Sequence, residues 1–274
     1  MTICNVCFRK CNIEEGKTGF CGVRGCRGGE VIPLNYGKVT SLALDPIEKK
    51  PLRRFHPGSL VLSVGSFGCN MRCPFCQNSS ISWSEEAMLL ADRTKYIEPE
   101  KLATTAKYYE SEGNIGLAFT YNEPLVGYEY VRDTARLVHE AGMKNVMVTN
   151  GMASLQVLEE LAPYIDAMNI DLKGFTDRYY EMIGGNKQMV MNFIEEAVRS
   201  CHVELTTLIV PGENDSEEEM RQLSAWIPED VPLHITRFFP RFQMQDRPAT
   251  SVEKIYKLKE IAEENLKYVY AGNC

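Results

Sequence analysis

No apolar run in the 274-residue sequence approaches the roughly 20 residues needed to cross a bilayer, and the polar, cysteine-bearing N-terminus lacks the apolar core of a signal peptide. These absences point to a cytoplasmic protein. Positive charge is also scarce: the net charge is −7 and the isoelectric point about 5.3. Phosphate binding depends on clustered Lys and Arg, so a large nucleic-acid footprint is disfavoured. The basic run KKPLRR, Lys49 to Arg54, reads as a solvated face, with an acidic partner or substrate as the sharper alternative.

Cysteine is abundant instead. Eight of the ten cysteines fall within residues 4–76, in a chain too long and too signal-poor for a small secreted disulfide scaffold. Metal binding is therefore favoured over disulfides. Cys201, at the end of a helical pattern, reads as a buried apolar residue and Cys274 as an incidental thiol.

Residues 1–30 are rich in Gly and Cys without helical or strand period, so they read as a small loop-rich unit held by metal. Residues 31–58 read as an extended connector, because Pro46, Pro51 and Pro57 interrupt any regular ladder. From residue 59 onward, short apolar runs alternate with amphipathic ones. Strands are predicted at 59–66, 115–120, 144–149, 165–172, 203–210 and 232–238. Helices are predicted at about 98–112, 124–141, 153–162, 187–201, 216–227 and 251–265. In the second of these, Val126, Tyr130, Ala135, Val138 and Ala141 form the expected apolar stripe.

Such alternation means an α/β fold with parallel strands joined by right-handed crossovers. An open doubly wound sheet and a partial barrel both satisfy it. Both place chemistry at the C-terminal strand ends.

Directly after the first of these strands comes GCNMRCPFCQN, residues 68–78. An iron-sulfur cluster ordinarily takes four protein ligands, and three cysteines leave one short. If Cys69, Cys73 and Cys76 each hold one iron of a [4Fe-4S] cluster, the fourth iron stays open to a small molecule. The alternative is a zinc site completed by a distant Cys or His, which would more often use paired cysteines two residues apart.

This C-x3-C-x2-C spacing, with Phe75 before the third cysteine, resembles the signature of the radical S-adenosylmethionine (SAM) superfamily. The resemblance implies a [4Fe-4S] cluster whose open iron chelates SAM, and one-electron cleavage to methionine and a 5'-deoxyadenosyl radical that abstracts hydrogen from a substrate. It also implies a partial (β/α)6 TIM-like barrel over residues 59–274, and a flavodoxin- or ferredoxin-like electron donor. Phe75 would lie near the adenine or be a packed loop aromatic.

The other strand ends carry the remaining candidates. TYNEP (120–124) stands where relatives have a motif contacting the SAM amino group, with Asn122 and Glu123 as its acceptors; a helix N-terminal charge is the alternative for Glu123. VTNGM (148–152) offers Thr149 and Asn150, or a plain turn at Gly151. In NIDLKGF (169–175), Asp171 and Lys173 share one side of an extended segment and can pair with each other or with a ligand carboxylate. DLK matches the pyruvate formate-lyase activating enzymes, which implies that Lys173 contacts the methionyl carboxylate. TTLIVPGEND resembles the same enzymes, but an arginine that they carry falls on Thr206 here. HITRFFPRF supplies His234 and Arg237, as ribose or substrate contacts or as structural residues.

The N-terminal cysteines Cys4, Cys7, Cys11, Cys21 and Cys26 offer four ligands and a spare, suited to zinc or to an auxiliary iron-sulfur cluster, with zinc slightly preferred. Together with DPIEKKPL and the cysteine trio, this head resembles the radical SAM proteins of the AmmeMemoRadiSam system. Those relatives continue into a further cysteine-bearing tail.

The expected function is thus radical SAM catalysis on a substrate that could be a residue of a partner protein. Modification of a small molecule or RNA, and a non-catalytic cluster carrier, are the alternatives.

Overall fold

The protein is described here by a computed structural model covering residues 1–89 and 93–274. Its main sheet has eight strands among the described residues. In chain order they are β1 (Ser41–Pro46), β2 (Leu60–Gly65), β3 (Asn114–Phe119), β4 (Lys144–Thr149), β5 (Ala167–Asp171), β6 (His202–Ile209), β7 (Leu233–Arg237) and β8 (Val269–Gly272). β2 to β8 are mutually parallel and β1 pairs antiparallel with β2.

Neighbours in the sheet are always neighbours in sequence. A doubly wound sheet must reverse its strand order to place helices on both faces, and no reversal occurs here. The crossovers therefore keep to one face and the sheet curls as a partial barrel. Sequential helices Pro99–Tyr108, Tyr128–Glu140, Leu155–Leu161 and Lys187–Ser200 pack on one another, as do Glu217–Trp226 and Val252–Ala262.

All six expected strands and six expected helices are present, the helices shorter at their ends. Polar N-caps set several starts: Asn186, Ser216 and Ser251 each accept from the backbone N–H three residues on. Helix Tyr128–Glu140 buries Tyr130, Val131, Thr134, Ala135 and Val138. Ala141, expected in that stripe, is exposed because it caps the helix end, its N–H shared by Leu137 and His139.

Alternation along the strands separates two environments. Leu62, Val64, Leu117, Phe119, Met168 and Ile170 join the helices in the main core. The opposite face is lined lower down by Val61, Ala118, Val146 and Ala167, packed on Ile47 and Leu52. Above them the buried positions turn polar: Ser63, Asn169, Glu204 and Thr206.

The expected connector is thus partly sheet and partly plug. Residues 41–46 form β1, at the sheet edge where proline is tolerated. The following segment inserts Ile47 and Leu52, both fully buried, beneath the barrel. The KKPLRR run is correspondingly split, with Arg53 and Arg54 exposed but Lys50 only 3% exposed and paired with Asp45 at 2.9 Å. Its backbone is tied inward, since Asn169 Nδ2 donates to the Pro51 carbonyl at 2.9 Å.

Residues 1–30, expected to lack regular structure, contain the short ladder Thr2–Ile3 with Asn12–Ile13, and Arg24–Arg27 pairs with Glu30–Pro33. None of the ten cysteines forms a disulfide. Among the described residues no helix is long and apolar enough to cross a membrane.

Candidate functional site

A cavity of about 610 Å³ opens at the C-terminal ends of the parallel strands. Cys69, Cys73 and Cys76, from the loop after β2, form part of its lining. Gly68 sets up this loop: its φ of +98° is left-handed, and a Cβ there would meet Val23 at 2.6 Å. The following residue, Cys69, accepts at its Sγ from Met71 N at 3.4 Å, and Cys76 Sγ lies 3.4 Å from Ser82 Oγ.

Burial pushes the Cys69 thiol well above its ordinary value, with Glu123, Cys73 and Cys76 adding to the effect. Burial likewise pushes Cys73 up to about 12, against the nearby Lys173 ammonium. Such thiols ionise only when a cation compensates them, as iron does. The residues fit the implied cluster: three thiols share a cavity large enough to hold further groups, with cationic Lys173 beside them. Among the described residues no group of three or more His, Cys, Asp or Glu side chains is placed to hold a single metal ion.

Strand ends supply the rest of the lining. Lys173 Nζ lies 2.6 Å from Asp171 Oδ2, and the two side chains are 16% and 28% exposed. Burial would lower the lysine, but Asp171 and the thiols of Cys73 and Cys76 outweigh it and hold the ammonium above its ordinary value. Glu123 is 3% exposed. Its carboxylate accepts from Leu125 N at 3.0 Å, Thr149 Oγ1 at 2.7 Å and Asn150 N at 2.8 Å. Burial nevertheless pushes it up to about 7, against those three donors. Glu123 therefore staples β3 to β4 and also caps the turn at Pro124–Gly127.

Asn122 is committed as well, accepting from Ser66 N at 2.9 Å while its amide reaches the carbonyls of Phe67 and Gly68. Asn150 Nδ2 donates to Asn70 Oδ1 at 3.0 Å and approaches Cys69 Sγ at 3.8 Å. Phe75 is 5% exposed and lies parallel to Tyr179 with ring centroids 6.4 Å apart, so it is a packed ring at the cavity wall.

His234 stands elsewhere. Its Nε2 lies 2.6 Å from Glu204 Oε2, deeper in the barrel, and Thr236, two residues nearer the strand end, lines the cavity instead. Glu204 is fully buried and also accepts from Arg53 N, Arg54 N and His202. Burial opposes its charge, but these four donors hold the carboxyl down at about 2. The proposed ribose or substrate role of His234 thus gives way to an anchor for the plug. Arg237 is likewise outside the lining, donating to the Thr250 carbonyl and lying over Phe239.

Several lining residues escaped the sequence reading. Asp45 Oδ2 accepts from Ser63, Tyr121 and Lys50, each at 2.9 Å, which brings Lys50 and Tyr121 into the cavity wall. Tyr121 has φ +74°, a left-handed backbone that no side-chain pattern announces. Thr206, already singled out in the sequence, also lines the cavity and donates to Asn169 Oδ1 at 3.0 Å.

The class that fold and site define is a sequentially wound partial barrel with three cysteines on the loop after its first parallel strand. The profile of the Radical SAM superfamily matches residues 63–224. The uncharacterized protein MJ0808 of Methanocaldococcus jannaschii is 40% identical, the alignment covering 98% of this chain and 80% of that protein. The chain belongs to the Radical SAM superfamily. Pyruvate formate-lyase 1-activating enzyme of Escherichia coli K12 is 22% identical over 70% of this chain and 78% of its own length. In fold, SAM-bound SuiB of Streptococcus suis matches with a TM-score of 0.59 at 13% identity, covering 78% of this chain and 52% of that one. A radical SAM methyltransferase of Sphaerobacter thermophilus gives 0.57 at 16% identity, covering 79% and 67%.

Proposed function

We propose that the protein is an activase-like radical SAM enzyme of the AmmeMemoRadiSam type, acting on a residue of a partner protein. The observation that carries this reading is the convergence of Cys69, Cys73 and Cys76 with Glu123, Asn150 and Lys173 on one cavity. In this reading the three cysteines hold a [4Fe-4S] cluster, and bound SAM, cleaved by one electron, supplies a 5'-deoxyadenosyl radical that removes a substrate hydrogen.

The chain's own groups bind and orient. Lys173 holds the methionyl carboxylate. Glu123 and Asn122 are largely satisfied by the protein, so they shape the strand-end loops and present carbonyl and carboxylate oxygens towards an ammonium. Kinship to the activating enzymes supports a protein substrate and a flavodoxin- or ferredoxin-like donor in a reducing cytoplasm.

Anaerobic reconstitution with iron and sulfide, followed by SAM and dithionite, tests the reading. Formation of methionine and 5'-deoxyadenosine is expected. A protein that assembles the cluster yet leaves SAM intact would be a cluster carrier, and the enzymatic reading would fail.

A further inference from the structure

The N-terminal unit differs from the rest of the chain in charge. Residues 1–30 carry five basic and three acidic side chains, a balance of +2, whereas the remaining 25 basic and 34 acidic residues give −9. Two of the five basic groups face acids: Arg24 pairs with Glu129 at 2.7 Å, and Arg27 stands opposite Glu30 on their ladder. Arg9, Lys10 and Lys17 are left, and Arg72 on the cysteine loop joins them. Among the described residues none of these four forms an ion pair. Against them stand only Glu14 and Glu15 of the same unit, and Glu15 is turned to Gly28 N at 2.8 Å and Gly29 N at 3.1 Å.

Two of these cations grip the loop that carries the cysteine trio. Phe20, 38% exposed, has the Arg9 guanidinium 3.3 Å and the Arg72 guanidinium 4.0 Å from its ring centroid. Arg9 Nε donates to the Asn70 carbonyl at 2.9 Å, and Arg72 Nη1 donates to the carbonyls of Cys69 at 2.8 Å and Met71 at 2.7 Å. The loop therefore has two sides. Cys69, Met71, Cys73 and Phe75 line the cavity, whereas Arg72, between them, donates from Nη2 to the Phe20 carbonyl of the N-terminal unit. Lys10 follows Arg9 directly, Lys17 precedes Phe20 by three residues, and both are exposed.

We infer that this basic face around Phe20 is where an acidic one-electron donor protein of the flavodoxin type docks. The inference rests on the proposed radical SAM reading, which requires a donor and gives the cavity to SAM and a partner protein. The donor must then deliver its electron while the cavity mouth is covered. Arg9, Lys10, Phe20 and Arg72 are not among the cavity-lining residues, yet Arg9 and Arg72 bond directly to the backbone of the cysteine loop. The donor is oxidised by one electron as the cluster held by the trio is reduced by one. Complementary charge brings the two proteins together, and the exposed Phe20 ring supplies apolar contact within the patch. A small patch suits the task, since electron-transfer encounters bury less than about 1,200 Å².

Anaerobically reconstituted full-length protein and its Lys10→Glu/Lys17→Glu variant are mixed with reduced flavodoxin, and the rate of cluster reduction is followed. At low ionic strength the variant should be reduced about tenfold or more slowly, because electrostatic steering changes association rates by about 10- to 1,000-fold. The gap should close at about 1 M salt, where the screening length is about 3 Å. Photoreduced deazaflavin, small and neutral, should reduce both proteins at the same rate. Flavodoxin affinity, which requires no cluster, should fall in the variant as the rate does. Should the double variant misfold, the wild type decides alone: its reduction by flavodoxin must slow steeply with salt while its reduction by deazaflavin does not. Equal flavodoxin rates in wild type and variant, a salt-independent flavodoxin rate, or a loss shared equally with deazaflavin would overturn the proposal. If flavodoxin rate and affinity follow the patch but SAM is never cleaved, the proposed activity fails and the docking face stands.

Discussion

Replacing Lys173 by alanine probes the cavity's cationic anchor. Asp171 engages the ammonium at 2.6 Å, and a lysine carries three N–H donors, so two protons are not taken up by that pairing. A methionyl carboxylate arriving there gains a charge-assisted bond worth about 1.5–3 kcal/mol, or roughly a ten- to hundredfold change in affinity. The loss has a second component: without Lys173, the Asp171 carboxylate stays unpaired and repels an incoming carboxylate. The double variant Lys173→Ala/Asp171→Asn separates the two, and should recover part but not all of the affinity. Equilibrium SAM binding to reconstituted protein is the assay, with iron content as the control. Iron should be unchanged, because the three cysteines occupy a different loop. Unaltered SAM affinity with a lowered melting temperature would refute the reasoning and make Lys173 a structural partner of Asp171.

Alanine at Cys69, Cys73 or Cys76 should abolish the SAM-responsive cluster and all deoxyadenosine formation; unchanged reductive cleavage in Cys76→Ala would remove that assignment. Glu204→Gln should loosen the plug, since it leaves buried hydrogen-bonding groups that faced the carboxylate without an acceptor, at a cost of about 1–3 kcal/mol, and an unfolding midpoint equal to wild type would count against it. Glu204 is held at about 2, below its ordinary carboxyl value, so its contribution is present above the unfolded value and is lost as pH falls towards 2. Denaturant titrations from pH 5 to pH 2 should therefore show a steeper loss of stability in wild type than in Glu204→Gln. Gly68→Ala should weaken the docking of the N-terminal unit, through left-handed strain and contact with Val23, and faster proteolysis within residues 1–30 would report it.

The sequence by itself determined the features that rest on local chemistry. Strand and helix periods are written in consecutive residues, so six strands and their crossover helices were legible, and the spacing of Cys69, Cys73 and Cys76 carries the cluster reading without reference to the rest of the chain. Tertiary structure decided whatever depends on partners distant in sequence. Strand order excluded the doubly wound sheet, because a parallel ladder records pairings that periodicity does not encode. Proline-rich residues 31–58 read as a connector, yet β1 and the buried Ile47 and Leu52 exist because the curled sheet has an edge and a lower face to cover. His234 looked like a site residue until Glu204, thirty positions earlier, claimed its imidazole.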